Sequence, residues 1–376
     1  MYKIAVVIPK YGLVGGAEGF VANLTERIAR DTRYDVHVFA NKWRTYSSAV
    51  RFHKVPIISF PRFLSTVSFA YFAKLRITQG NFDLIHTHDR ILAADVFTMH
   101  GIPHRIWVDE IRKKRMSLFD CTTEWVEKRL VETGQCSMFL SVSALAREKF
   151  LQQYNIEPER VQVLHPGVDV ERFGRYDRER CRSEIRRDYG IGPAELVILF
   201  VSMNFAIKGL DVLLSGLAGF RARHPDQSYR ILVAGKGDRR KYAKMAHELG
   251  MGDCLVFAGV MLEESLTKAY LASDAFAMIS RFDTFGIAVL EAMAASIPVI
   301  VSNQVGASDL VDHGLNGFVV NALNCEDELI DALRSLADHE TRMRMGREAH
   351  KTALDNTWDD VAEKITHVYQ DLLNLK

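Results

Sequence analysis

Short runs of apolar and β-branched residues alternate along the whole chain with segments whose apolar positions recur every three to four residues. KIAVVIP, YDVHVFA, FDLIHTH, DVFTMHG, MFLSVS and VQVLHPG read as strands of the first half. LVILFVS, YRILVAG, CLVFAG, DAFAMIS, IPVIVS and GFVV read as strands of the second. Strands this continuously apolar belong to parallel sheets covered by helices on both faces. Between them, Leu210, Leu213, Leu214 and Leu217 mark the packed stripe of a helix starting at Lys208. Helices are also predicted over 16–29 and 284–295, each directly after a strand, and an amphipathic helix over 358–375. The pattern predicts an α/β protein of two doubly wound domains facing each other across a cleft. Ligands of doubly wound sheets bind beyond the carboxyl ends of the strands.

Length supports two domains, since 376 residues exceed the size of most single ones. The expected division is 1–170 and 171–357, with the terminal helix 358–376 packing back on the first domain. No stretch reaches the roughly 18 apolar residues that span a bilayer. The opening MYKIAVVIPKYG lacks a small-residue cleavage site and reads as a buried strand, not a signal peptide. Cys121, Cys136, Cys181, Cys254 and Cys325 form no Cys-x-x-Cys pair, which suits reduced thiols in a cytoplasmic protein. The net charge of +1 hides an asymmetry: residues 1–165 hold 23 basic and 16 acidic side chains, a balance of +7, and the remainder stands at −6. A basic first half suits an anionic partner there, such as a phospholipid surface or a phosphorylated acceptor, and modest asymmetry between domains is also common.

Ser280 to Glu291 is the segment richest in candidate chemistry. Asp283 and Glu291 are eight positions apart around an expected helix start, about 12 Å along a helix axis. The N–H groups of Thr284, Phe285 and Gly286 would lie between them at the helix N-terminus, a place suited to a diphosphate. A carboxylate at each end could accept hydrogen bonds from sugar hydroxyls. The plainer reading makes Asp283 an N-cap and Glu291 a solvated helix residue. Lys208 at a helix start opposes the helix dipole unless an anion is present. Gly15-Gly16 before a helix would let a ligand approach the backbone closely, or be a simple turn. His100 ends a strand and could hydrogen-bond a sugar hydroxyl, although a lone histidine is often structural. His86, His88 and His100 could instead be imagined as a metal site, but such sites need held geometry and usually an orienting second shell, and no metal is expected. From His104 to Phe119, Arg112, Lys113, Lys114 and Arg115 are interleaved with apolar residues including Trp107. That mix fits an element lying on an anionic membrane with Trp107 as its anchor, or a charged surface helix.

These residues stand in an order that resembles a known family. Asp283-x7-Glu291 is similar to the Glu-x7-Glu signature of retaining group 1 (family 4) glycosyltransferases of the GT-B fold, built of two Rossmann-like domains. Gly15-Gly16-Ala17-Glu18, Asp83 to His88, Met99-His100-Gly101, Val142-Ser143, Pro166 to Asp169 with Phe173, Lys208-Gly209, Gly235 to Asp238, Val256 to Gly259 and Ala272 to Asp274 continue the resemblance over nearly the whole chain. Trp125 to Phe173 most resembles bacterial lipopolysaccharide-core sugar transferases. The resemblance implies a hexose transferred with retention from a UDP- or GDP-sugar to a glycan or glycolipid, with no metal or other cofactor; a nucleic acid partner is not expected, because the overall charge is near neutral and no binding module is visible. It implies that Glu291 binds the ribose, that Asp283 and His100 meet the donor sugar, that Phe285 and Gly286 offer amides to the diphosphate, and that Lys208 neutralises the leaving phosphate. The scattered thiols suggest a cytoplasmic enzyme, and the basic segment suggests one peripheral on the inner face of the membrane. Two departures stand out: aspartate replaces the first family glutamate, and the arginine usual near Lys208 is missing from Met203 to Ile207.

Two other enzyme classes and a binding protein compete with this reading. A nucleotide-sugar epimerase of similar shape would turn over donor without acceptor. A non-catalytic nucleotide-sugar binder would cleave none. A nicotinamide oxidoreductase is suggested by Gly12-x-x-Gly15-Gly16, but that is not Gly-x-Gly-x-x-Gly, and no acidic residue convincingly closes the first βαβ unit.

Overall fold

The computed structural model describes residues 1–13, 15–322 and 325–375. The chain divides into two compact units, Met1–Gly167 together with the segment from Trp358, and Val168–Thr357. The crossover thus falls three residues before the expected one, and the terminal helix belongs to the first unit.

In the first unit seven strands form one sheet: β1 (Tyr2–Val7), β2 (Tyr34–Ala40), β3 (Arg51–Lys54), β4 (Leu84–Thr87), β5 (Val96–Met99), β6 (Met138–Ser141) and β7 (Val161–Val163). Every pairing is parallel, in the order β3-β2-β1-β4-β5-β6-β7. Alternate side chains of β1 feed two separate cores. Ile4 and Val6 pack on one face with the helix Gly16–Ile28, and Ala5 and Val7 pack on the other with the helix Leu64–Thr78. Both faces are buried, and each fully buried aliphatic side chain contributes about 1.5–3 kcal/mol. The helix Trp358–Asn374 covers the first of these faces with Trp358, Val361, Ala362, Ile365 and Tyr369, the 3.6-residue stripe that made it legible.

The second unit repeats the plan. Its strands are β8 (Leu196–Ser202), β9 (Tyr229–Gly235), β10 (Leu255–Gly259), β11 (Ala275–Met278), β12 (Val299–Ser302) and β13 (Gly317–Val320). They pair in parallel in the order β10-β9-β8-β11-β12-β13. The helix Leu210–Arg223 buries Leu210, Leu213, Leu214, Leu217 and Phe220 against this sheet. Arg178, Arg182 and Arg186, one turn apart on the helix Arg178–Asp188, hold it to its neighbours. Arg178 donates to the Leu271 and Ala295 carbonyls, at or beside the carboxyl ends of two helices, and Arg182 and Arg186 grip the buried Asp274 at 2.9 Å each.

Each sheet reverses its order of connection once, at β1/β4 in the first unit and at β8/β11 in the second. Those switch points leave a crevice at the carboxyl ends of the strands, where doubly wound sheets hold ligands.

Candidate functional site

The candidate residues form two constellations, one at each switch point. In the second unit, the loop after β8 carries Lys208 and the loop after β11 carries Asp283. Ser280 Oγ and the Arg281 amide both donate to the Ile207 carbonyl, at 2.9 and 2.8 Å, stitching the loops together. Gly209 makes this closeness possible. A Cβ there would stand 1.9 Å from the Ile279 carbonyl oxygen, and its φ of +74° suits glycine. Lys208 Nζ consequently donates to Asp283 Oδ2. The lysine precedes the Gly209 cap rather than starting the helix, and its charge is met by a carboxylate.

The helix expected from Thr284 begins at Ile287, with Gly286 as its cap in the left-handed region at φ 87°. Asp283 therefore lies ahead of the helix, bridged to Val305, and its Oδ1 accepts from the Phe285 amide at 3.3 Å. Thr284 is partly exposed and Phe285 is buried. No described side chain caps the helix, so its first turn keeps amides suited to an anion. Glu291 is held from both sides: Arg172 Nη2 donates to Oε1 and Tyr270 Oη to Oε2, each at 3.0 Å. Burial, and then the Glu291 charge, push the Tyr270 phenol well above its ordinary pKa, so it remains a donor. Arg172 and Tyr270 were missed from sequence. Arg172 lies within the Asp169-to-Phe173 stretch, but nothing in its spacing pointed to Glu291. Where the arginine expected beside Lys208 is missing, Arg281 donates to the Ala206 carbonyl at 2.7 Å and is held by Asp211 at 2.6 and 3.0 Å.

In the first unit, Gly15 is the N-cap of the helix Gly16–Ile28, again with no capping side chain among the described residues. His88 and His100 follow β4 and β5, the strands next to the switch point. His88 Nδ1 lies 3.1 Å from His100 Nε2, and the His86 ring stands 4.1 Å from that of His88. His86 is pinned in turn by Tyr369 Oη at 2.6 Å and Thr98 Oγ1 at 2.7 Å. Burial lowers the pKa of His86 and His100 to about 3 and that of His88 well below its ordinary value, so all three rings are neutral. The His86 and His88 side chains are almost wholly enclosed, and His100 is partly exposed.

A cavity of about 250 Å³ opens beside them, lined by His88, Asp89, Arg90, His100, Gly101 and Glu127 among others. Arg90 Nε donates to Glu127 Oε2 at 2.6 Å, and Glu127 Oε1 accepts from Tyr154 Oη at 2.7 Å and from the His104 amide at 2.9 Å. Burial raises the Asp89 carboxyl, opposed by the Arg90 charge. The walls thus mix donors and acceptors in the way that hydroxyl-rich ligands require. Among the described residues, no group of three or more His, Cys, Asp or Glu side chains is arranged to hold a metal ion. The five cysteines are all free thiols, and only Cys121 is exposed.

The basic segment is broken rather than one helix. His104–Ile106 is helical, Trp107–Arg112 is wound as a π-helix, and Lys113 turns left-handed at φ 50°. A new helix, Leu118–Glu132, starts at Ser117, whose side chain and that of Asp120 cap each other's backbone. Arg112 donates to Asp120 at 3.1 Å, while Lys113, Lys114 and Arg115 are exposed. Trp107 is only partly exposed, whereas Leu118 is 71% and Phe60 88% exposed. The chain near Phe60 packs on the start of that helix: Arg62 lies 4.5 Å over the Phe119 ring, and Thr122 Oγ1 donates to the Phe63 carbonyl at 2.9 Å. Among the described residues, no helix is long and apolar enough to cross a membrane.

Residues 182–352 match the family Glycosyl transferases group 1, and residues 14–172 match Glycosyltransferase Family 4. An uncharacterized glycosyltransferase of Methanocaldococcus jannaschii is 28% identical over 389 aligned positions, covering 98% of each chain. WaaG, a glycosyltransferase involved in lipopolysaccharide biosynthesis, superposes with a TM-score of 0.79 at 20% identity, covering 97% of this chain and 99% of WaaG. HepE of Anabaena, solved with UDP and glucose, gives a TM-score of 0.72 at 17% identity, covering 99% of this chain and all of HepE. At these identities the solved structures speak to the fold.

Proposed function

This chain belongs to the group 1 glycosyltransferases and has their GT-B fold of two Rossmann-like domains, and from that premise we propose that it moves a hexose from a nucleotide-diphosphate sugar to a glycan or glycolipid, with retention at the anomeric carbon. The observation that carries this reading is the pairing of Lys208 with Asp283 at the second switch point, ahead of the uncapped helix that bears Glu291. In the structure the lysine rests on the aspartate. A diphosphate arriving at the Gly286 helix end would take over Lys208 and release Asp283 to a sugar hydroxyl. Glu291, already oriented by Arg172 and Tyr270, would accept from the ribose. As the bond from the anomeric carbon to the phosphate oxygen breaks, its electron pair leaves with the phosphate. Lys208 and the first-turn amides offset the growing charge, and the acceptor hydroxyl oxygen forms the new bond on the same face as its proton passes to the departing phosphate oxygen. This chemistry needs no metal ion and no other cofactor. The donor is a UDP- or GDP-sugar, and HepE, solved with UDP, supports the former. His100 and the cavity of the first unit would meet sugar hydroxyls.

The acceptor reading, a lipopolysaccharide core or related cell-envelope glycan, is supported by the role of WaaG and by the surface beside the first cavity. There Lys113, Lys114 and Arg115 are exposed just before the exposed Leu118, and the segment that follows the exposed Phe60 packs on the start of the same helix, a combination suited to an anionic membrane face. The enzyme would then work in the cytoplasm, peripheral to the membrane.

The test is a thermal-shift screen of UDP, GDP, ADP and their sugars, followed by product analysis with and without a glycan acceptor in EDTA. One nucleotide diphosphate should stabilise the protein, and sugar should appear on the acceptor. Donor conversion without acceptor would instead identify an epimerase, and binding without conversion a sugar-nucleotide binder. No stabilisation by any of them would overturn the reading.

A further inference from the structure

We propose that the first-unit cavity selects a sugar unit that carries no negative charge, with Asp89 as the residue that sets this specificity: its carboxylate accepts from sugar hydroxyls and repels a phosphate on the same sugar. The inference rests on the reading of this cavity as a place that meets sugar hydroxyls, and it names the class of sugar the cavity takes.

The charge of the cavity walls runs against that of the half of the chain that holds them. Residues 1–165 carry a balance of +7, yet the charged side chains on the cavity lining are Asp89, Arg90 and Glu127, one cation between two anions. Arg90 donates through Nε to Glu127 Oε2 at 2.6 Å, and its Nη1 stands 3.9 Å from Asp89 Oδ1. Glu127 is fully engaged, since Tyr154 Oη and the His104 amide also donate to it. Asp89 is engaged on one side: Oδ1 accepts from the Arg90 amide at 2.7 Å, and Oδ2 has no hydrogen-bond donor among the described residues. The Asp89 side chain is 35% exposed, so a ligand can reach it.

Glu18 adds a further negative charge. It lies in the first turn of the helix Gly16–Ile28, next to Ala17 of the cavity wall, and folds back over Gly15 so closely that no Cβ fits there. Burial raises the Asp89 carboxyl, the Arg90 charge and amide oppose that rise, and the Glu18 and Glu127 charges add to it. The helix N-terminus, where a phosphate would otherwise be welcome, already faces a carboxylate of the chain itself. His88 and His100 bring no positive charge to offset these groups, because burial keeps both rings neutral.

A phosphate brought to Asp89 meets a like charge in a partly enclosed cavity, where water screens it less than in bulk. Like charges set against each other are an effective way to reject a wrong ligand. A hydroxyl brings a donor instead, and hydrogen bonds to an ionised acceptor are about twice as strong as neutral ones. Phe97, Met99 and Ile102 supply an apolar wall for the C–H face of a sugar ring.

The experiment is saturation-transfer NMR on the full chain near neutral pH, with UDP and GDP in excess to occupy the anion site of the second unit. The probes are methyl glucoside, methyl galactoside and methyl mannoside, each beside the hexose phosphate of the same sugar. In the wild type at least one neutral glycoside should give a signal about tenfold or more above that of its phosphate. Asp89→Asn keeps the shape and removes the charge, and should narrow that gap to about threefold or less, weakening the neutral sugar and admitting the phosphate. Glu18→Gln stands apart from the Arg90–Glu127 pair and should narrow the gap in the same direction, which keeps the test decisive if Asp89→Asn does not fold. A phosphate that binds the wild type as well as its neutral glycoside does overturns the proposal and leaves the cavity a sugar site. So does a gap that neither folded variant changes. No signal from any probe overturns the proposal together with the reading of the cavity as a place for sugars.

Discussion

Acidification should weaken the first unit steeply, and the buried histidines set the size of the effect. His86 is fully enclosed and hydrogen-bonded at both nitrogens, and His88 is 5% exposed. Burial lowers the pKa of His86 to about 3, and that of His88 well below 6.5, with neighbouring imidazoles adding to the effect. In the unfolded chain both titrate near 6.5. Below that pH the unfolded state binds protons that the folded state refuses, so stability is present above the unfolded pKa and is lost as the pH falls toward the folded one. Between about pH 7.5 and pH 5, each such histidine removes about 2 kcal/mol, and the pair about 4 kcal/mol, a large share of a typical domain's stability. Trp43, Trp107, Trp125 and Trp358 all belong to the first unit, so urea unfolding followed by tryptophan fluorescence reports on that unit alone. His86→Gln keeps an amide donor and acceptor in place of the imidazole but does not titrate. Its loss of stability between the two pH values should be smaller than that of the wild type by about 2 kcal/mol. Identical pH dependence in the two proteins would refute the buried neutral histidine.

Four more outcomes test the other parts of the structure. Lys208→Ala should lower turnover at least about tenfold, the smaller scale for removing a group that stabilises developing charge; unchanged turnover removes Lys208 from the chemistry. Arg172→Ala should weaken binding of the nucleotide diphosphate by about tenfold, the worth of a charged hydrogen bond that orients Glu291, measured by calorimetry; equal affinity would show that Tyr270 suffices. Gly209→Ala should destabilise the second unit by more than about 2 kcal/mol, because its Cβ would collide with the Ile279 carbonyl at an unfavourable φ; hydrogen exchange of the second-unit amides measures it, and wild-type protection would contradict the close approach. Replacing Arg112, Lys113, Lys114 and Arg115 by glutamine should abolish sedimentation with phosphatidylserine vesicles at low salt; a wild type that ignores such vesicles ends the membrane reading.

The twelve strands expected from apolar runs all form, since strands buried on both faces need little more than continuous hydrophobicity. β3 escaped notice because Arg51-Phe52-His53-Lys54 is an edge strand with one neighbour, and its polar side chains carry no buried signal. The stripe from Trp358 to Tyr369 announced a packed helix, whereas Gly209 and Gly286, expected within helices, stand ahead of them as caps at positive φ. The start of the Glu291 helix was misplaced by three residues because Asp283 and Thr284 have the composition of a cap, while the bridge to Val305 draws them into an extended segment instead.

What the sequence settled alone was whatever repeats within a few residues: the alternation of strands and helices, the apolar faces and the family signature. Which charges meet was decided only by the tertiary structure. Lys208 and Asp283 are 75 positions apart, Arg172 and Glu291 are 119, and His86 and Tyr369 are 283. Periodicity reflects local geometry and the burial of a face, so it can be read in a short window. The pairing of distant side chains depends on strand order, on loops that approach within a carbonyl's reach of a glycine, and on a last helix that returns to the first sheet, none of which any local stretch of residues contains.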